Sequence, residues 1–190
     1  MINLFGEEEM RPLVWRKKEV PCYFLNKEGG LWSDKRNKFL TPSYEVVRYA
    51  DGTVIKTAVK YNLSIPSNFY EDYNFSKNGK AYAGRSSRNS EDIPWEIMTI
   101  RVHRAMMETW KPFDENPPED LKDEWDSLSD KVKYYIEGGM VVDHWDDNPL
   151  NNHIDNLRWC TSLENSNHRK KQKYATMETE KKTPLEELIK

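Results

Sequence analysis

Two short apolar runs on either side of a polar loop stand out in the last third of the chain. Residues 140–171 read MVVDHWDDNPLNNHIDNLRWCTSLENSNHRKK. MVVDH and LRWCT have the length and composition of short strands, whereas the Asn- and Asp-rich residues between them favour tight turns. Thr161 and Glu164 have the spacing of a capping box, which predicts a helix that starts at Ser162. The segment therefore predicts a strand–loop–strand–helix unit.

The side chains predicted to meet in this unit suit the hydrolysis of a phosphodiester. Asp143 and His144 end the first strand, and Asn165 lies in the first turn of the helix. The reaction needs a base to deprotonate water and positive charge at the phosphate. Hard divalent cations prefer oxygen ligands, which Asp143 and Asn165 offer. An imidazole titrates near neutrality, so His144 is the candidate base. Asn156 is the candidate for holding one of its nitrogens and leaving the other free.

The same run resembles the HNH endonuclease motif, in the Asn-rich version of phage intron-encoded homing endonucleases. The matching residues are Val142-Asp143-His144, Asn148, Asn151-Asn152, Asn156-Leu157-Arg158-Trp159, Thr161 and Glu164-Asn165, with Val102-His103-Arg104 upstream. The resemblance implies a ββα-metal fold. It also implies that Asp143 and Asn165 bind the metal, that His144 activates water, and that Asn156 orients His144.

An activity and a setting also follow from the resemblance. The expected function is a metal-dependent DNA endonuclease that nicks or cleaves double-stranded DNA with one Mg²⁺ or Mn²⁺ ion. The expected source is a phage, and the expected location is the cytoplasm of the infected host cell. The alternative is a catalytically weak or inactive DNA-binding or packaging-associated protein of the HNH fold. The chain departs from the family pattern in its long connection from Trp110 to Val141 and at Asp147, where a glycine is usual.

Three histidines outside the predicted catalytic set each have two interpretations. His168 lies one helical turn past Asn165, so it is either a third metal ligand or an exposed helical histidine. His103 either packs and hydrogen-bonds inside the protein or contacts DNA. His153 is either a solvated loop residue or a phosphate contact.

Basic side chains surround the motif and are candidates for contact with DNA. The residues in question are Arg104, Arg158, Arg169, Lys170, Lys171 and Lys173. The alternative for the helix end is compensation of the helix dipole. Upstream, charge alone suggests contacts from Arg36, Lys38, Lys77, Lys80, Arg85 and Arg88.

The rest of the chain predicts an α+β protein with the ββα-metal (HNH) motif at its C-terminal end. Gly29-Gly30 and Asp51-Gly52 lie between apolar runs and predict hairpins. Residues 97–104 predict a strand that runs into a helix. Pro117-Pro118 and Gly138-Gly139 enclose an amphipathic pattern, which predicts an acidic helix over 118–137.

Three regions follow from these patterns. The predicted regions are a β-rich N-terminal region over 1–96, an HNH nuclease domain over 97–175 that contains the inserted helix 118–137, and a tail over 176–190.

Charge and composition narrow the possible partners. The net charge is -3, which argues against a protein that coats nucleic acid. Residues 111–147 hold 12 acids and 4 lysines, a balance of -8, so the rest of the chain carries +5 and can form a basic patch. Cys22 and Cys160 are too far apart in sequence for a zinc knuckle. The expected partner is double-stranded DNA, with no membrane and no evident protein partner, and the expected state is a monomer or weak dimer.

Overall fold

The computed structural model describes residues 9–66, 69–70 and 95–170. In these residues the chain is a mixed α and β protein with three small antiparallel sheets and three α-helices. The predicted tail over 176–190 and six predicted DNA contacts lie outside the described residues. These contacts are Lys77, Lys80, Arg85, Arg88, Lys171 and Lys173.

The first sheet is an antiparallel meander of four strands. Its strands are β1 (Met10–Trp15), β2 (Lys18–Asn26), β3 (Leu31–Ser33) and β4 (Lys38–Phe39), in that order across the sheet. The predicted hairpin at Gly29-Gly30 joins β2 to β3, and Gly29 has a φ of 84°, a conformation that glycine adopts without steric cost. This hairpin turn lies against the loop of residues 145–156 (the site loop), since the backbone N–H of Ile154 donates to the carbonyl of Lys27 at 2.9 Å.

The second sheet has three strands. They are β5 (Ser43–Arg48), β6 (Val54–Pro66) and β7 (Trp95–Arg101), with β6 in the centre. The hairpin predicted at Asp51-Gly52 joins β5 to β6, with Gly52 at a φ of 87°. Strand β7 contains the boundary between the predicted regions 1–96 and 97–175. The division into these regions stays a prediction.

Helix α1 (Val102–Trp110) follows β7 without a break and joins the upstream sheets to the rest of the molecule. Its side chains Val102, Ala105 and Met106 are buried, because apolar residues at spacings of three and four share one helix face. They pack into one core, which includes Leu13, Leu25, Leu63, Ile100 and Leu157. That core therefore contains side chains from both upstream sheets and from the segment 140–171.

The predicted helix over 118–137 is wrong, because the acidic segment forms several shorter elements. Two 3-10 turns, Glu119–Leu121 and Trp125–Ser127, precede helix α2 (Asp130–Gly139). Leu128 and Ser129 have extended backbones with ψ angles of 142° and 150°. Ser and Asp side chains favour turns and caps over helix interiors, and Trp125 is drawn into a second buried cluster with Phe113 and Met140. Helix α2 ends at Gly139, in agreement with the end predicted at Gly138-Gly139.

The third sheet follows α2 and carries the candidate site. Strands β8 (Met140–His144) and β9 (Leu157–Thr161) pair antiparallel, and helix α3 (residues 162–170) begins directly after β9. The predicted strand–loop–strand–helix order is therefore present. In the described part of the chain, no helix combines the length and apolar character needed to cross a bilayer.

Candidate metal centre

Asp143 and His144 lie at the end of β8, where the chain leaves the two-stranded sheet. The register of β8 and β9 places Asp143 opposite Arg158 and His144 opposite Leu157. Both side chains are buried, with 2% of Asp143 and 8% of His144 exposed. A buried carboxylate needs charged or hydrogen-bonding partners to offset its lost hydration.

Those partners come from β9 and α3. One carboxylate oxygen of Asp143, Oδ2, accepts hydrogen bonds from Nη2 and Nε of Arg158 at 2.8 and 3.1 Å. Nδ1 of His168 lies 3.2 Å from the same oxygen. The Arg158 guanidinium is 3.9 Å from the centre of the Trp145 ring, which also meets His168 edge-on. Asp143 is therefore the centre of a polar cluster that the half-exposed Trp145 borders.

A capping box fixes where α3 begins. The backbone N–H of Thr161 donates to Oε2 of Glu164 at 2.6 Å, and the backbone N–H of Glu164 donates to Oγ1 of Thr161 at 3.2 Å. This is the reciprocal pattern predicted from the sequence. The hydrogen bonds from Thr161 lower the pKa of Glu164. Because residues three apart share a helix face, Asn165 lies on the face that carries His168 toward Asp143.

Asn165 offers an oxygen with no donor. Its Oδ1 is buried and accepts no hydrogen bond from the described residues. A buried amide oxygen without a partner costs about 1–3 kcal/mol, so a cation at this position would remove a penalty. The carboxylate of Asp143, the amide oxygen of Asn165 and the imidazole of His168 are a donor set that suits a divalent cation. The residues present therefore fit the metal that the HNH resemblance implies.

Asp147 is the site residue that sequence reasoning missed. Ligand atoms of Asp143, Asp147 and His168 lie within 4.8 Å of one another. Asp147 has a φ of 55°, which is in the left-handed region that favours glycine. The motif that this segment resembles usually has glycine at this position. The only signal in the sequence is this departure at Asp147.

His144 has a different set of neighbours from Asp143. Its Nε2 lies 3.4 Å from Oδ1 of Asn152, and its ring meets the edge of His103 on α1 at a centroid distance of 5.6 Å. Burial lowers the pKa of His144, and the charge of Arg169 lowers it further, whereas Asn152 and the nearby carboxylates oppose the shift. The imidazole is therefore held mainly in its neutral form near neutral pH.

Asn152, rather than the predicted Asn156, contacts the imidazole of His144. Nδ2 of Asn156 donates to Oδ1 of Asp146 at 2.8 Å and to the carbonyl of Asn151 at 2.9 Å. Its Oδ1 accepts from the backbone N–H of Asp146 at 3.2 Å. Both N–H donors of the Asn156 side chain are thus used inside the loop, and its oxygen accepts from the loop backbone.

The predicted DNA contacts have different surroundings. Arg104 is partly buried, with Nε 2.7 Å from Oε1 of Glu108 and its guanidinium 4.5 Å from the centre of the Trp159 ring. Arg158 is paired with Asp143. Arg169 and Lys170 are exposed on α3, so these two are the basic side chains of the motif that remain open to a ligand in the described residues.

The two other histidines and Trp159 make packing and loop contacts. His103 is largely buried against His144, which agrees with a packing role. His153 lies 3.3 Å from the carboxylate of Glu28 at the β2–β3 turn. Trp159 donates from Nε1 to the carbonyl of Lys111 at 2.8 Å, which ties β9 to the end of α1.

Comparison with known proteins finds one family that this segment is similar to. Residues 134–167 match the HNH endonuclease family. A solved structure described as "DNA binding and cleavage by the HNH homing endonuclease I-HmuI" aligns with 86% of the chain at 18% identity and a TM-score of 0.43. The chain spans 59% of the length of that protein. No curated protein matches the chain.

The family match covers most of the residues from which the centre is built, and His168 lies one residue beyond it. It contains β8, the loop, β9 and the first part of α3, with Asp143, His144 and Asn165 inside its bounds. The similarity to the HNH endonuclease family therefore lies in residues 134–167, the segment that carries Asp143 and His144.

Proposed function

We propose that this protein is a metal-dependent endonuclease that hydrolyses phosphodiester bonds of double-stranded DNA. The observation that carries the proposal is the buried carboxylate of Asp143, 3.2 Å from Nδ1 of His168, in a strand whose next residue is the buried His144. The family match of residues 134–167 supports the reaction class. A phage source and a homing role follow from the resemblance of the motif alone and belong to this proposal.

Asp143 and Asn165 are the proposed metal ligands, with His168 as a third, and Mg²⁺ or Mn²⁺ is the proposed ion. When bound, the ion supplies positive charge at the scissile phosphate and the leaving oxygen. Arg158 donates twice to the Oδ2 of Asp143. Arg158 would therefore lie beside the bound ion, where its guanidinium would be placed to donate to a phosphate oxygen.

His144 is the proposed general base, and Asn152 is its proposed positioning residue. Nδ2 of Asn152 donates to the carbonyl of Leu150 at 3.2 Å, which turns Oδ1 toward Nε2 of His144. The acceptor Oδ1 holds the imidazole proton on Nε2. Nδ1 of the neutral ring then keeps its lone pair and accepts the proton of the attacking water.

The exposed side chains of Arg169 and Lys170 on α3 are proposed to contact the phosphate backbone. Such contacts position a duplex without reading its sequence. By resemblance to HNH endonucleases, the products carry 5′-phosphate and 3′-hydroxyl ends. A chain with a single site is expected to nick one strand for each binding event.

Relaxation of supercoiled plasmid tests the proposal. With Mg²⁺ or Mn²⁺ the protein should convert supercoiled DNA to the open-circular form, and His144→Ala should slow this by about 100-fold or more, because it removes the general base. A gel shift should show that the variant still binds DNA. Equal nicking rates for the two proteins would refute the assigned mechanism.

The second candidate is a DNA-binding protein that does not cut. The double hydrogen bond from Arg158 to Asp143 favours it, because this pair satisfies the carboxylate without a metal. This candidate predicts a gel shift with no metal-dependent product at any ion concentration. The same plasmid assay therefore separates the two functions.

A further inference from the structure

The turn after β8 holds two consecutive aspartates with different surroundings. The carboxylate of Asp146 accepts hydrogen bonds from the backbone of Asn148 and from the amides of Asn151 and Asn156, at 2.7–2.9 Å. Burial raises the pKa of Asp146, but these hydrogen bonds outweigh that effect and lower it. Asp146 is therefore a structural residue that holds the loop together.

Asp147 has no such role in the loop. Its backbone N–H donates to the carbonyl of His144 at 3.0 Å, but its side chain receives no hydrogen bond from the described residues. Its Oδ1 lies 3.9 Å from Nδ1 of His168, and 30% of the side chain is exposed. The carboxylate thus lies beside the candidate metal centre and is more exposed than the buried carboxylate of Asp143.

The backbone at position 147 favours glycine, not aspartate. With a φ of 55°, any side chain here has a steric cost that glycine does not have, although Asp tolerates the conformation better than most residues. The conformation of the turn by itself therefore does not account for an aspartate at this position.

We propose that Asp147 is a further ligand of the metal, supplying a second carboxylate beside that of Asp143. This inference rests on the proposed metal site. It is supported by the spacing of the three ligand groups within 4.8 Å and, independently, by the buried Oδ1 of Asn165 that has no donor. Two carboxylates offset the charge of a divalent cation, so Asp147 raises the affinity of the site.

Titration of the full chain with Mn²⁺ in the absence of DNA tests the proposal. Isothermal titration calorimetry should give a dissociation constant that rises about 10-fold or more in Asp147→Asn and Asp147→Gly, because each removes one ligand. The matched control is Asp155→Asn, which makes the same charge change at an exposed carboxylate of the same loop and should leave the Mn²⁺ affinity unchanged.

The stability of the variants without metal distinguishes a structural role of Asp147 from a role as a metal ligand. In EDTA, the urea midpoint of Asp147→Gly should equal or exceed that of the parent protein, because glycine relieves the positive φ. Parent-like Mn²⁺ affinity in both Asp147 variants, together with loss of binding in Asp143→Asn, would overturn the role of Asp147 and leave the proposed function intact. Absence of Mn²⁺ binding by the parent protein would overturn both.

Discussion

At the scale of single residues, the site depends on how each polar group is satisfied. Asn152 and Asn156 are both loop asparagines, but only Asn152 has an oxygen turned toward His144. Asp146 and Asp147 differ in the same way, because one accepts three hydrogen bonds from its own loop and the other faces His168. The hydrogen bonds that a side chain makes within its own loop thus decide which of two similar residues can contact the other groups of the site.

His103 provides a prediction about pH. Burial, together with the charge of the neighbouring His144, lowers its pKa to about 4. The unfolded chain, with an ordinary histidine pKa, then binds a proton between about pH 6.5 and 4 that the folded protein does not. The stability from a neutral His103 is therefore fully present above about pH 6.5 and is lost as the pH falls toward 4.

His103→Phe keeps a ring against His144 and removes the titrating group. Between pH 7 and pH 4.5, the free energy of unfolding of the parent protein should fall by about 2 kcal/mol more than that of the variant. Urea unfolding at the two pH values measures the difference. Equal losses in both proteins would show that His103 is not the group responsible.

At the scale of elements, the start of α3 sets the position of two candidate ligands. The capping box of Thr161 and Glu164 fixes the first turn, and Asn165 and His168 follow at set angles around the helix. A shift of the helix start by one residue would rotate both side chains by about 100° away from Asp143.

Thr161→Ala removes half of this capping box. The free energy of unfolding should fall by about 1 kcal/mol, because the backbone N–H of Glu164 loses its acceptor. Ser162→Ala is the control, since its hydroxyl makes no hydrogen bond to the described residues in the cap. Urea denaturation should find the control within about 0.5 kcal/mol of the parent, and a similar loss in both variants would argue against the cap.

At the scale of the whole molecule, upstream elements hold the site loop in place. The carbonyl of Lys27 accepts from the backbone N–H of Ile154, and Nζ of Lys111 donates to the carbonyl of Ile154 at 3.0 Å. The β2–β3 turn and the end of α1 therefore position the loop that carries Asn152. The N-terminal sheet contributes to the site through this support, and Arg36 and Lys38 remain only proposed DNA contacts.

Gly29→Ala tests this long-range support. A Cβ at Gly29 would lie 3.0 Å from Cγ1 of Val102 and 3.1 Å from Cβ of Asn152, at a φ of +84°. The variant should lose about 1–3 kcal/mol of stability and should nick plasmid more slowly, because Asn152 is displaced from His144.

Gly52→Ala is the matched control for that experiment. Its φ of +87° is similar, but a Cβ there meets nothing within 4 Å. It should show only the smaller conformational cost, of about 1 kcal/mol, and parent-like nicking. Nicking that falls equally in both variants would mean that general instability, and not the loop contact, limits activity.

Much of the local architecture was determined by nearby residues. The hairpins at Gly29 and Gly52, the β7–α1 junction and the order of β8, β9 and α3 follow from turn residues, periodicity and caps, which act over a few positions. The periodic apolar pattern over 118–137 is present, but a single helix does not form there. Trp125, which belongs to that pattern, is buried against Phe113, which lies outside it.

The sequence by itself determined which chemical groups the site contains and the strand and helix that carry them. Only the tertiary structure decided that Asn152 contacts His144, that Arg158 pairs with Asp143 and that Asp147 faces His168. The reason is physical: backbone periodicity and capping are set by neighbours in the chain. The orientation of a polar side chain depends instead on all the donors and acceptors that the fold brings within about 3 Å of it.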